Sequence, residues 1–114
     1  MTRKIKLYIG DILENIMLME KIINGLDYEA FIANKEKNYA VVRCLEIVGE
    51  AVKNIPEQIR LQYPEVPWRK MSGMRDKVIH FYVGVDYKIV WQVATKDLPA
   101  LKSNLNQIFN KIAE

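Results

Sequence analysis

Apolar residues recur along this chain at steps of three and four, and over no useful length at steps of two, which directs the fold toward packed helices rather than sheets. Ile5, Tyr8, Ile9, Ile12, Ile16, Met19 and Ile23 mark a first helix of about 20 residues, with Gly25 as its stop. A connection from Leu26 to Asn34 carries Phe31, expected to pack as a lid on the core. Val41, Leu45, Val48, Val52 and Ile55 then share one face of a helix expected from about Asn38 to Asn54. The prolines at 56, 64 and 67 leave room for a turn or two around Gln58 to Tyr63. Helical spacing resumes from Trp68 to Val83, with Gly84 placed to end it. Asp86 reads as the N-cap of a fourth helix, through Ile89, Val90 and Val93. Asp97 reads as the cap of a fifth, with Pro99 in its first turn and Leu98, Leu101, Leu105, Ile108 and Ile112 along one stripe. The expectation is an all-α antiparallel bundle of four main helices plus short pieces, with no sheet, as a single domain over residues 1–114.

Composition narrows the function classes. Half of the 114 residues are hydrophobic and 27% are charged, enough to bury a core and too apolar for disorder. No uncharged apolar run approaches the roughly 18 residues of a membrane span. The opening Met-Thr-Arg-Lys-Ile-Lys-Leu does not read as a secretory signal, so a cytoplasmic setting is expected. The single cysteine, Cys44, permits no internal disulfide and is expected to be inert. With one histidine beside it, it makes no ordinary zinc site, so no metal or cofactor is expected.

Charge is concentrated. The net charge is +3, and Arg69, Lys70, Arg75 and Lys77 less Asp76 account for all of it, so the rest of the chain sums to zero. Such a stretch is either a solvated basic face or a local anion site. On a helical wheel Met71, Met74, Val78 and Phe81 form the core stripe. His80 falls about 220° from the centre of that stripe, which does not suit a core histidine. Asp76 and Gly73, four and seven residues before it, share its face; Gly73 leaves bare backbone there, or else marks a loop before a later helix start. Arg75 and His80 point about 140° apart, with about 7.5 Å of rise between them, and so converge through the reach of arginine, through local distortion, or across two chains. Ile79, apolar and off the core stripe, favours a two-fold dimer. Arg43, Glu46 and Glu50 read as an ion-pair ladder or as support for the arginine. Trp68 and Trp91 read as packing residues rather than base-stacking ones.

The stretch Arg75-Asp-Lys-Val-Ile-His80-Phe-Tyr82 resembles the Arg-x4-His-x-Tyr signature of HepT-like toxins in the HEPN superfamily. Arg43-Cys-Leu-Glu46-Ile-Val-Gly49-Glu50-Ala51 is similar to that family's second-helix segment, and Val66-Pro67-Trp68 with Gly73-Met74-Arg75-Asp76 is similar to its lead-in. Val85-Asp86, Val90-Trp91, Leu98-Pro99 and Leu101 resemble its closing helices. The resemblance implies a metal-independent endoribonuclease acting on RNA as a homodimer. It also implies that the chain is the toxin half of a pair with a minimal nucleotidyltransferase antitoxin. Arg75 and His80 would be catalytic, Asp76 and Gly73 supporting, and Tyr82 the tyrosine on which the antitoxin places AMP.

That chemistry suits the residues. An RNA 2′-hydroxyl attacks its own adjacent phosphate, so the enzyme supplies a proton acceptor and charge stabilisation rather than a nucleophile. A histidine with an unperturbed pKa near 6.5 can accept the proton, while the terminal helical turn and Asp76 would favour its charged form. An arginine forks onto phosphate oxygens. The alternative is a catalytically silent helical module that binds a nucleotidyltransferase partner, with Arg75 and His80 at a nucleotide or phosphate site.

Overall fold

The computed structural model describes residues 2–80 and 84–112, and the side chains of residues 4–74, 76 and 84–112. It is an all-α bundle. Helix α1 (Thr2–Ile23) and helix α3 (Lys35–Lys53) are the two long elements and pack along each other. Between them α1 ends at Gly25, whose φ of 81° is the left-handed conformation that suits glycine. The short α2 (Tyr28–Ala33) is capped by Asp27, whose carboxylate accepts from the Ala30 N–H at 2.8 Å. Asn34 then serves two helices: its backbone N–H closes the end of α2, and its side chain accepts from the Lys37 N–H at the start of α3. Phe31, fully buried, seats α2 on the core.

Helix α4 (Glu57–Gln62) follows Pro56, and its Arg60 reaches back to the end of α3. There Arg60 Nε donates to the Ile55 carbonyl at 3.0 Å and Nη2 to the Val52 carbonyl at 2.7 Å, satisfying acceptors that the end of a helix leaves open. Helix α5 (Trp68–Val78) packs on α3, and α6 (Tyr87–Gln92) packs on α5. Helix α7 (Lys102–Lys111) closes the bundle against α1, where Gly10 lies opposite the Phe109 ring. A Cβ at Gly10 would stand 3.3 Å from that ring, so the small residue sets the approach of the two helices. Lys102 and Glu20 tie the same pair together at 2.7 Å.

Two parts differ from the periodicity reading. The expected helix from Trp68 to Val83 stops at Val78, and Ile79 and His80 form a two-residue strand, β1, paired antiparallel with β2 (Gly84–Val85). Val78, Ile79, Phe81, Tyr82, Val83 and Val85 are β-branched or aromatic, types that lose side-chain freedom in a helix and favour extended backbone. Gly84 does not end the helix; at φ 87° it pairs with His80. The second difference is at Asp97. A cap residue needs extended backbone, and here helical backbone runs on through a π turn (Val93–Asp97) and a 3₁₀ turn (Pro99–Leu101). Asp97 accepts from Gln92 Nε2 at 3.4 Å instead. In an unbroken α-helix Val90, Ala94 and Leu98 would drift about 40° per four-residue step, and the wider turn takes up that drift. All three are buried. Asp86, by contrast, caps α6 through the Ile89 N–H at 3.3 Å.

Candidate functional site

Helix α5 is anchored on one side. Trp68 is buried and its indole N–H donates to the Tyr63 carbonyl at 3.0 Å, while Met71 and Met74 turn into the core as the periodicity requires. On the same helix Arg69, Lys70 and Asp76 are exposed. Gly73 lies inside the helix rather than in a loop before it, and a Cβ built there meets nothing within 4 Å. The described part of the basic stretch is therefore an open, solvent-facing surface with a gap in its middle.

Arg75 and Asp76 belong to the last turn of α5 by their backbone; His80 lies two residues past its end, in β1. The helical relation that would stack Asp76 and Gly73 beneath His80 does not hold, since His80 is no longer on the wheel. The same change removes it from the terminal helical turn invoked for its charged form. Its backbone is instead fixed by the ladder, with Gly84 directly across. The ladder brings His80 beside the start of α6, a neighbour that wheel geometry did not supply; the run of β-branched and aromatic residues is the signal that would have found it. Tyr82 lies outside the described residues, as do the side chains of Arg75, Ile79 and His80.

Two hollows flank α5. One of about 1000 Å³ runs between α4 and α5, bordered by Arg60, Leu61, Arg69, Lys70 and Gly73. A smaller one, about 280 Å³, lies between α5 and α6, bordered by Lys70, Met74, Lys88 and Gln92. Lys70 thus stands on the ridge between them, and Lys88, at the start of α6, adds a second cation. Arg43, Glu46 and Glu50 line a separate groove of about 600 Å³ between α1 and α3, with Asp11 and Lys53. Trp91 packs rather than projects: its ring is 5.1 Å from that of Phe31. Burial pushes the Cys44 thiol up, partly offset by the Arg43 guanidinium. Among the described residues no group of three or more His, Cys, Asp or Glu is arranged to hold a metal, and no helix is long and apolar enough to cross a membrane.

Comparison with known proteins agrees with the motif. The family model described as "Ribonuclease HepT-like" matches residues 12–108. The chain is 50% identical to "Putative RNase MJ1216" of Methanocaldococcus jannaschii, over 96% of this chain and 91% of that protein. It is 48% identical to "Putative RNase MJ0125" of the same organism, over 98% and 97% of the two chains. With "Probable ribonuclease HepT" of Thermococcus cleftensis the identity is 44%, over 95% and 98%. No solved structure matches.

Proposed function

Because the chain belongs to the HepT-like ribonuclease family, we propose that it is a metal-independent endoribonuclease and the toxin partner of a minimal nucleotidyltransferase antitoxin. The observation that carries this reading is the run from Arg75 to His80 across the junction of α5 and β1, at the end of the helix that holds the chain's whole excess of positive charge.

In this reading the RNA 2′-oxygen bonds to the adjacent phosphorus and the bond from phosphorus to the 5′-oxygen breaks. The 2′-hydroxyl proton passes to His80, and the departing 5′-oxygen takes a proton from an acid, the role of the second His80 in a homodimer. The products are a 2′,3′-cyclic phosphate and a 5′-hydroxyl. Arg75 forks onto the phosphate oxygens as charge builds on them. Asp76 and Gly73 support the site, the carboxylate by its charge beside Arg75 and the glycine by leaving room for the RNA backbone. A dimer doubles the local charge and focuses it on one cleft. AMP attached to Tyr82 by the antitoxin partner adds a bulky anion close to Arg75 in the chain, filling the phosphate site and repelling RNA.

The test is incubation of purified protein with total RNA or tRNA in EDTA, beside His80→Ala and Arg75→Ala. Each variant is expected to lose on the order of 10²-fold or more in rate. Wild-type activity no greater than that of the variants rejects the ribonuclease and favours the silent binding module. A rate against pH with two limbs is expected for paired acid and base, and a flat profile removes that assignment. Light scattering is expected to give twice the 13.3 kDa chain mass. After coexpression with the antitoxin, mass spectrometry is expected to find an adenylyl group on Tyr82; its absence there contradicts the AMP proposal.

A further inference from the structure

A hollow of about 490 Å³ opens beside β2, walled by Tyr28 and Ile32 of α2 and by Gly84, Asp86, Tyr87 and Lys88. Its size falls within the range of small-ligand pockets, roughly 300–1,000 Å³. Gly84 is the ladder partner of His80, and such partners stand only about 4.5–5.5 Å apart between Cα atoms. Resting on the ribonuclease reading above, we propose that this hollow is a base pocket: it holds an unpaired nucleobase of the RNA next to the scissile phosphate.

Three observations favour a base as the occupant. Both tyrosines are half-buried, and each is backed by another aromatic ring, Tyr28 edge-on to Trp91 at 6.1 Å and Tyr87 edge-on to Phe31 at 6.3 Å. Rings braced from behind lose little freedom when a base stacks on them. The charges in the wall also cancel. Asp86, already engaged with the Ile89 N–H, stands beside Lys88, so the pocket suits an uncharged heteroaromatic better than a bare phosphate. Finally, Ile32 keeps 41% of its surface exposed at the rim, an apolar edge in want of a flat apolar cover. The exposed cations of α5 and the aromatic walls beside β2 thus divide the work, phosphate to one and base to the other. Sequence-tolerant readers of single-stranded RNA combine the same two elements.

The experiment uses 2′-O-methyl oligoadenylate, which cannot undergo 2′-oxygen attack, beside an abasic strand of the same length and phosphate number. Fluorescence anisotropy compares the wild-type protein with Tyr28→Ser, Tyr28→Phe and Tyr87→Leu; the last keeps an apolar partner for Phe31 while removing the π face. Wild type is expected to bind the base-bearing strand about tenfold more tightly than the abasic one. Tyr28→Ser and Tyr87→Leu should erase most of that difference without changing abasic binding, and Tyr28→Phe should retain it. Equal wild-type binding of the two strands, or variants that weaken both strands alike, overturns the base pocket. Because binding is read without cleavage, a protein that stacks bases and never cuts RNA defeats the ribonuclease reading alone. One that cuts RNA and ignores bases defeats the pocket alone.

Discussion

At Cys44 the side chain is 3% exposed, and burial holds the thiol protonated to higher pH than in the unfolded chain. A group that keeps its proton longer when folded stabilises the fold below its unfolded pKa and loses that contribution as pH rises through the folded one. Half-buried Tyr87 acts in the same direction at still higher pH, through burial and the neighbouring Tyr39. The urea midpoint is therefore expected to hold steady through neutral pH and fall above about pH 9, the thiol's ordinary value. A midpoint rising through that range would contradict this. Native Cys44 should also resist iodoacetamide until the protein unfolds. Gly73 makes a different argument. Glycine inside a helix costs about 1 kcal/mol against alanine, and a Cβ added at Gly73 would enter open space. Gly73→Ala is expected to raise stability by about 0.5–1 kcal/mol. If the gap serves RNA approach, cleavage falls in that same variant; a stabilised protein with undiminished cleavage removes Gly73 from the site.

Among the elements, the caps separate what local sequence can decide from what it cannot. Asp86 stands on extended backbone and accepts from the Ile89 N–H, so Asp86→Ala should cost about 1 kcal/mol in chemical denaturation. Asp97 has the same side chain and looked equally fit to cap, yet it lies within helical backbone and its one described bond is long. Asp97→Ala should stay within about 0.5 kcal/mol of wild type. Equal costs for the two would mean that the π turn is not what separates them. The end of α5 follows the same logic. Counting apolar spacing alone carried the helix to Val83, because Val78 and Phe81 continue the core stripe. Side-chain type was the competing signal, and the run of β-branched and aromatic residues prevailed. His80 moved from a helix face to a ladder as a result, and its neighbour became Gly84 rather than Asp76.

Across the whole molecule, α1 and α3 hold the bundle while α2, α5 and α7 lean on them and α6 packs on α5. Phe31 links α2 to the rest, being fully buried and in ring contact with both Tyr87 and Trp91. Phe31→Ala should cost about 3–5 kcal/mol, measurable by thermal or urea unfolding. Since the same ring backs Tyr87, the loss should also loosen the hollow beside β2. Most of the described residues read as core from their spacing are buried, among them Ile9, Ile12, Ile16, Val41, Leu45, Val48, Val52, Met71, Leu98 and Leu105, while Tyr8, Ile23, Ile89 and Leu101 are half-buried.

The sequence alone determined the all-α class, the long helices and the location of the net charge. Periodicity and counting are local properties, and burying one face of each helix satisfies them without reference to the others. The Arg75, His80 and Tyr82 spacing was equally legible, and it led to the family. Tertiary structure decided what stands beside what. Packing against α3 and α6 left Arg69 and Lys70 in solvent, and pairing of β1 with β2 set His80 next to the tyrosine-walled hollow. Neither follows from spacing along one helix, because both depend on partners in other elements of the chain.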